Sequence, residues 1–169
     1  MEIRKEKPED ITEIRHILEQ AFRESIEANL VEMLRKANKA PISLIAIYNG
    51  QLVGHILFSP VTIASAQAGF NGIGLAPVGV LPEFQKRGIG SSLIREGLEE
   101  CKRARYDIVV VLGNPRFYSR FGFSRASDHG LGNEYGADEH FMAMELSEGA
   151  LAEVIGIVKY QPEFREAGC

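Results

Sequence analysis

The stretch Val80-Leu81-Pro82-Glu83-Phe84-Gln85-Lys86-Arg87-Gly88-Ile89-Gly90-Ser91-Ser92 constrains this chain more than any other. It reads as the end of a strand, a short loop and the first turn of an amphipathic helix. Gly88 and Gly90 remove the side chains that would hold a ligand off the backbone, and glycine tolerates positive φ. A helix start carries N–H donors without intrahelical partners, and its dipole favours an anion. Lys86 and Arg87 add formal positive charge at the same spot. A di- or triphosphate is the guest such a loop suits; the competing reading is a tight strand-to-helix turn that binds nothing. The helix itself is clear, because Ile89, Leu93, Ile94, Gly97, Leu98 and Cys101 recur at helical spacing and form one apolar stripe. Two phosphate motifs are excluded. No Lys precedes Ser91 as a Walker A loop requires, and the Rossmann fingerprint needs a third glycine.

The rest of the chain has no internal repeat, low-complexity segment or linker, and is expected to form a single domain over residues 1–169. Strands are expected at 2–5, 42–48, 51–63 and 73–81, and helices at 8–22 and 26–37. Asn49-Gly50, between two apolar runs, is a type I′ hairpin signal. The continuous apolar run Asp107-Ile108-Val109-Val110-Val111-Leu112 predicts a strand covered on both faces. A short helix around Tyr118 and a strand at 140–146 complete the order β-α-α-β-β-β-α-β-α-β. Antiparallel strands thus lead into a parallel crossover, an α/β (α+β) fold. The glycine-containing, mixed-polarity segment 124–139 reads either as a rim over a site or as an inert surface loop.

Gln85-Lys86-Arg87-Gly88-Ile89-Gly90 fits Gln/Arg-x-x-Gly-x-Gly/Ala and resembles the coenzyme A pyrophosphate loop of the Gcn5-related N-acetyltransferases (GNAT). Pro77-Val78-Gly79-Val80-Leu81-Pro82 sits where that family has its splayed central strand. Tyr118-Ser119-Arg120-Phe121-Gly122-Phe123 resembles the family's Tyr-x-x-x-Gly-Phe segment. The resemblance runs over residues 3–146. The Phe-Tyr-x-Arg-Phe-Gly-Phe wording, Phe141-Met142-Ala143-Met144-Glu145-Leu146 and the tail Gly156-Ile157-Val158-Lys159-Tyr160-Gln161-Pro162-Glu163-Phe164 are most similar to the YhbS-like branch. The resemblance implies the GNAT fold: a central, mostly antiparallel mixed sheet with a splayed strand pair, flanked by helices.

The same resemblance implies acetyl-CoA as cosubstrate, its pantetheine arm lying between strands 73–81 and 107–112. Backbone groups of Val78, Gly79 and Val80 would meet the pantetheine amides and the thioester carbonyl, where aimed N–H donors stabilise an oxyanion. Pro77 and Pro82 bracket that strand, and proline cannot donate to a sheet ladder. Gln85 opens the pyrophosphate motif, and the backbone of Lys86, Arg87, Gly88, Ile89, Gly90 and Ser91 would cradle the pyrophosphate. Tyr118 matches the tyrosine that protonates the departing thiolate, since a phenol of pKa ~10 stays protonated at neutral pH. Its alternative is a packed ring among Phe117, Phe121 and Phe123. Asn114 falls near an asparagine that contacts the pantetheine arm; Pro115 next to it argues equally for a turn. No general base is named. His55, in mid-strand, faces either the substrate or the core, and Glu32, Glu83, Glu134, Glu139, Glu145 and His140 carry no distinguishing mark.

A net charge of −4 provides no general field for nucleic acid, and is compatible with a cationic amine substrate. No apolar run reaches membrane-spanning length. The two cysteines, Cys101 and Cys169, form no disulfide framework, and a reducing cytoplasm is the simplest setting. The four histidines lack metal-ligand spacing, so no metal is expected. The expectation is therefore an N-acetyltransferase moving the acetyl group of acetyl-CoA to a small-molecule primary amine by direct attack in a ternary complex. The alternatives are a non-catalytic acyl-CoA-binding module and an enzyme acting on a protein amine. The oligomeric state, a homodimer among the options, is not legible.

Overall fold

Apolar periodicity and turn chemistry settle most element boundaries. The computed structural model describes residues 1–63 and 70–169. In chain order the elements are β1 (Glu2–Lys5), α1 (Ile11–Phe22), α2 (Ile26–Lys36), β2 (Ile42–Tyr48), β3 (Gln51–Ile63), β4 (Gly72–Val80) and α3 (Ile89–Arg103). They continue with β5 (Ile108–Leu112), α4 (Pro115–Tyr118), β6 (Ser124–Arg125), β7 (Leu131–Asn133), β8 (Phe141–Glu145), β9 (Gly156–Lys159) and α5 (Pro162–Ala167). Short 3₁₀ turns lie between several of these. The expected mixed α/β architecture, mostly antiparallel with flanking helices, holds. The sequence reading missed β6, β7, β9 and α5. No described helix is long and apolar enough to cross a membrane.

The chain divides into two compact units. The first holds Met1–Ser59, Ala76–Glu99 and Pro162–Cys169; the second holds Pro60–Leu75 and Glu100–Gln161. Strands β3 and β4 and helix α3 each contribute residues to both.

In the first unit β1, β2 and β3 pair antiparallel, with Ile3 opposite Ala46 and Ile45 opposite His55. The hairpin between β2 and β3 turns at Asn49 (φ 51°) and Gly50 (φ 77°). Two successive positive φ values are what a type I′ turn needs, and Asn-Gly supplies them at least cost. One face of this sheet receives α3. A Cβ on Gly54 would stand 3.0 Å from Leu93 and 3.3 Å from Ile89, and one on Gly97 would stand 2.4 Å from the Phe58 ring. Glycine at these two positions lets helix and strand approach closely. The expected stripe of α3 is inward: Ile89, Leu93, Ile94, Leu98 and Cys101 are all buried. Each such aliphatic side chain contributes about 1.5–3 kcal/mol through burial. Ile14, Ile17 and Leu18 of α1 and Ala28, Leu30, Val31 and Leu34 of α2 are buried likewise. Helix α5 packs on α2, where Lys39 pairs with Glu163 at 2.9 Å.

In the second unit β5 is the centre. It pairs parallel with β4 and antiparallel with β8, which also pairs with β6. The parallel β4–β5 neighbours are joined through α3, as the segment order requires. Ile108 to Val111 are buried, as their unbroken apolar run implies. Strand β9 pairs antiparallel with the end of β3 and parallel with β7.

Candidate active site

The β4–β5 ladder is short. Its rungs are Gly72–Ile108, Ile73–Val109 and Gly74–Val110, yet β4 runs on to Val80 and β5 to Leu112. Val111 and Leu112 pair with Met142 and Phe141 of β8. Pro77, within the continuation of β4, has no N–H to give to a ladder.

Val78, Gly79 and Val80 form the last residues of β4, in the first unit. Gly79 has a packing role the sequence did not announce. A Cβ there would stand 3.2 Å from Leu18, 3.3 Å from Ala21 and 3.3 Å from Phe22, so its bareness admits α1. The Leu81 N–H donates to the Val53 carbonyl at 2.9 Å, which ties the strand end to β3. A 3₁₀ turn over Pro82–Phe84 follows. Gln85 then folds back, and its Nε2 donates to the Val80 carbonyl at 3.0 Å. The glutamine amide thus closes the loop on itself, a role its place in the motif leaves unspecified.

Lys86 (φ 63°) and Gly88 (φ 80°) both take left-handed backbone, and Lys86, Arg87 and Gly88 are exposed. The Ser92 N–H donates to the Gly88 carbonyl at 3.0 Å, so α3 begins its hydrogen bonding on that glycine. Ile89, buried, anchors the first turn. Among the described residues, a Cβ on Gly88 would meet nothing within 4 Å, and one on Gly90 would meet only Val80 Cγ2, at 3.8 Å. Backbone conformation requires the first glycine. No packing contact among the described residues requires the second, which leaves a space that a side chain would begin to fill. The Arg87 guanidinium lies over aromatic rings, 5.3 Å from the Phe84 centroid and 5.9 Å from that of Tyr48, which holds its charge beside the loop.

Asn114 and Tyr118 belong to the second unit. Asn114 caps α4: its Oδ1 accepts the Arg116 N–H at 2.9 Å, and its carbonyl accepts the Tyr118 N–H at 3.0 Å. The turn reading of Asn-Pro thus describes its side-chain oxygen. Tyr118 is 8% exposed, and its ring meets Phe117 edge-on at 5.0 Å and Phe123 at 5.8 Å. Gly113 makes room for it, since a Cβ there would stand 2.3 Å from Tyr118 Cε2. Burial raises the phenol's pKa, so Tyr118 is a protonated donor across the neutral range.

His55 lies in the first unit, fully buried, within a polar chain the sequence did not reveal. Its Nε2 is 2.8 Å from Ser43 Oγ, and Ser43 Oγ in turn bonds Glu6 Oε1. Arg35 donates to both oxygens of Glu6, at 2.8 and 3.2 Å. A hydroxyl has one proton. Since Ser43 gives its own to Glu6, His55 Nε2–H donates to Ser43 and its Nδ1 remains a bare acceptor, buried without a partner. Burial lowers the pKa of His55 against the pull of Glu6. The ring is a neutral core group.

Neither thiol is activated. Cys101 is buried and its pKa is pushed up to about 12 by burial and Glu100. Cys169, at the chain end, is pushed up to about 11 by desolvation and by Glu27 and Glu24.

The acetyltransferase (GNAT) domain family matches residues 2–126. The chain belongs to that family. It is 35% identical over 166 residues to an uncharacterized N-acetyltransferase, YhbS, of Escherichia coli (strain K12), covering 97% of this chain and 98% of YhbS. The crystal structure of E. coli YhbS in complex with CoA matches with a TM-score of 0.91 at 34% identity, over 97% of this chain and 91% of that one. A GNAT family acetyltransferase from Brucella melitensis, in complex with acetyl-CoA, matches at 0.80 with 39% identity, over 96% and 97%. The expected GNAT membership and YhbS-like branch therefore hold, and the chain is an acetyltransferase by family.

Proposed function

We propose that this chain transfers the acetyl group of acetyl-CoA to a primary amine by direct attack, with both substrates bound together. The observation that carries the reading is the loop at 85–91, whose second glycine answers to no packing or backbone need among the described residues. The CoA and acetyl-CoA complexes of the E. coli and Brucella relatives support the same cosubstrate. Acetyl-CoA supplies an activated acyl group with a thiolate as leaving group. The backbone of Lys86, Arg87, Gly88, Ile89, Gly90 and Ser91 holds the pyrophosphate, and Gln85 keeps that loop in shape. Val78, Gly79 and Val80 present backbone groups to the pantetheine arm and the thioester carbonyl, where fixed donors stabilise developing charge. Asn114, its oxygen engaged in the cap, offers its amide nitrogen to the arm. Tyr118 gives its proton to the departing sulfur. The family match draws on residues of both units. Two free thiols support a reducing compartment such as the cytoplasm.

Calorimetric titration with acetyl-CoA, with desulfo-CoA and ATP as controls, followed by coenzyme A release over a panel of amines, tests the reading. Saturable acetyl-CoA binding and amine-dependent release are expected; a folded protein that binds no acetyl-CoA would sink it. Tyr118→Phe should leave acetyl-CoA binding intact and lower kcat by about 100-fold, the usual scale for a lost general acid. Gly113→Ala, which displaces the Tyr118 ring, should act in the same direction without moving KM for acetyl-CoA. Unchanged kcat in Tyr118→Phe would remove the acid role.

A further inference from the structure

A cavity of about 420 Å³ opens within the second unit, against the helix that carries Tyr118. That size falls in the range of small-molecule sites. Its apolar wall is made by Pro115 of α4, by Phe123 and by Met142 of β8. Phe123 and Met142 are buried, and the Phe123 ring is the one that meets Tyr118 edge-on. Around this wall stand three charged side chains, Arg116, Arg125 and Glu139, all on exposed residues.

The backbone under each charge is held. Arg116 gives its N–H to the Asn114 cap at 2.9 Å. Arg125 stands opposite Met142 in the β6–β8 ladder. Glu139 lies in the turn that the His140 N–H closes on the Ala137 carbonyl at 3.0 Å. Two hydroxyls also line the cavity, and each is engaged within the protein. Ser119 Oγ donates to the Arg116 carbonyl at 3.2 Å, and Ser124 Oγ is 2.8 Å from His129 Nε2. The charges differ in this respect. Among the described residues, no side-chain hydrogen bond or ion pair engages Arg116, Arg125 or Glu139. Two guanidinium groups and one carboxylate therefore line one space without neutralising each other.

We propose that this cavity binds an α-amino acid with an apolar side chain, in its zwitterionic form. The carboxylate meets Arg116 and Arg125, the ammonium meets Glu139, and the side chain lies on Phe123 and Met142. A guanidinium fork matches a carboxylate in geometry as well as charge, and an ammonium has three donors for the lone pairs of Glu139. The charge pattern decides against a simple anion. Phosphate or sulfate would gain from the two arginines but face Glu139 as a like charge, whereas a zwitterion leaves none of the three opposed. An apolar side chain on this wall loses exposed area, and the Met142 sulfur adds contact with an aromatic ring. The segment 124–139, read from sequence as either a rim or an inert loop, supplies Arg125 and Glu139 near its two ends. Binding here does not depend on amine acetylation, and no acetylation of the amino acid is implied.

The test is calorimetric titration of the full-length chain with L-phenylalanine. N-acetyl-L-phenylalanine, L-phenylalaninamide and glycine serve as controls that lack the ammonium, the carboxylate and the side chain in turn. Phenylalanine should bind saturably and about 10-fold tighter than each control, the scale of one lost charge-assisted hydrogen bond. Glu139→Gln should narrow the preference over N-acetylphenylalanine to within about threefold and keep the preference over phenylalaninamide. Arg116→Gln combined with Arg125→Gln should do the reverse. All three residues are exposed, so the variants should keep the wild-type Tm within a few degrees. Saturating coenzyme A should leave phenylalanine binding within about twofold, as two separate sites require. No saturable binding, equal binding of phenylalanine and either charge-deleted control, or preferences unchanged in the variants would overturn the proposal. Displacement of phenylalanine by coenzyme A would also overturn it, by giving the cavity to the cosubstrate. Acetyl-CoA binding is measured separately in the same protein, so failure here leaves the acetyltransferase reading standing.

Discussion

Gly90→Glu should abolish acetyl-CoA binding and leave a folded protein. The first turn of α3 is where an anion gains from unpaired N–H groups and the helix dipole. A carboxylate planted there fills the cradle and opposes the pyrophosphate charge. The fold raises no comparable objection, because among the described residues the Cβ of residue 90 meets only Val80 Cγ2, at ordinary contact distance. The expected result is a loss of affinity above about 100-fold, some 3 kcal/mol, with Tm shifted by only a few degrees. Gly90→Ala sharpens the point. Alanine in a helix is favoured over glycine by about 1 kcal/mol, so this variant should be as stable as wild type or more so, and still bind acetyl-CoA more weakly. Gly88→Glu should bind no better than Gly90→Glu. It also carries backbone strain of about 1–2 kcal/mol, since φ at residue 88 is 80°. Normal binding by Gly90→Glu would overturn the pyrophosphate assignment.

Glu6→Ala should cost about 3 kcal/mol of stability, because it leaves the mostly buried Arg35 guanidinium and the Ser43 hydroxyl without their shared acceptor. For a chain of this length that corresponds to a Tm drop of about 6–12 °C. The pH dependence identifies the cause. Burial acts to raise the pKa of Glu6, but His55, Arg35 and Ser43 together hold it well below the ordinary carboxylate range. A depressed carboxylate contributes stability that is complete above its unfolded pKa, near ~4.5, and lost as the pH falls toward the folded value. His55 acts in the same sense from a higher starting point. Its folded pKa is lowered, so the unfolded chain takes up the proton first, and stability falls as the pH drops below ~6.5. Wild-type Tm should therefore decline below neutral pH and more steeply below ~4.5. The gap between wild type and Glu6→Ala should be widest at pH 7 and shrink near pH 3. A gap of constant size would mean that the ion pair is not what Glu6 contributes.

Local signals were legible and assembled ones were not. The stripe of α3, the Asn49-Gly50 hairpin and the apolar run of β5 each lie within a few consecutive residues, and each appears where expected. The loop at 85–91 is legible as a glycine-rich strand-to-helix connection for the same reason, because its glycines, charges and helix start are contiguous. The Glu6 chain is not contiguous: Arg35 and Ser43 are 29 and 37 residues away, and His55 meets Ser43 only through the register of β2 on β3. Strand β2 is buried on nearly its whole length, which hides the alternation that would have marked Ser43 as inward. Gly79 owes its bareness to side chains of α1, a packing need that no local pattern announces. Strands β7 and β9 are three and four residues long and pair in parallel across an intervening strand, too short to leave a period of their own. The cavity beside α4 joins Arg116, Arg125 and Glu139, whose spacing matches no local pattern.

The chemistry of the two thiols bears on how this enzyme is best assayed. Each turnover would liberate one coenzyme A sulfhydryl, which disulfide reagents detect by colour. At pH 8 a thiol with a pKa of about 11 is ionised to the order of one part in a thousand, and Cys101 is less ionised still and enclosed. The protein's own background in such an assay should therefore be small and slow. Turnover can be followed continuously on the wild-type chain, without a cysteine-free variant whose altered α3 packing would complicate every comparison.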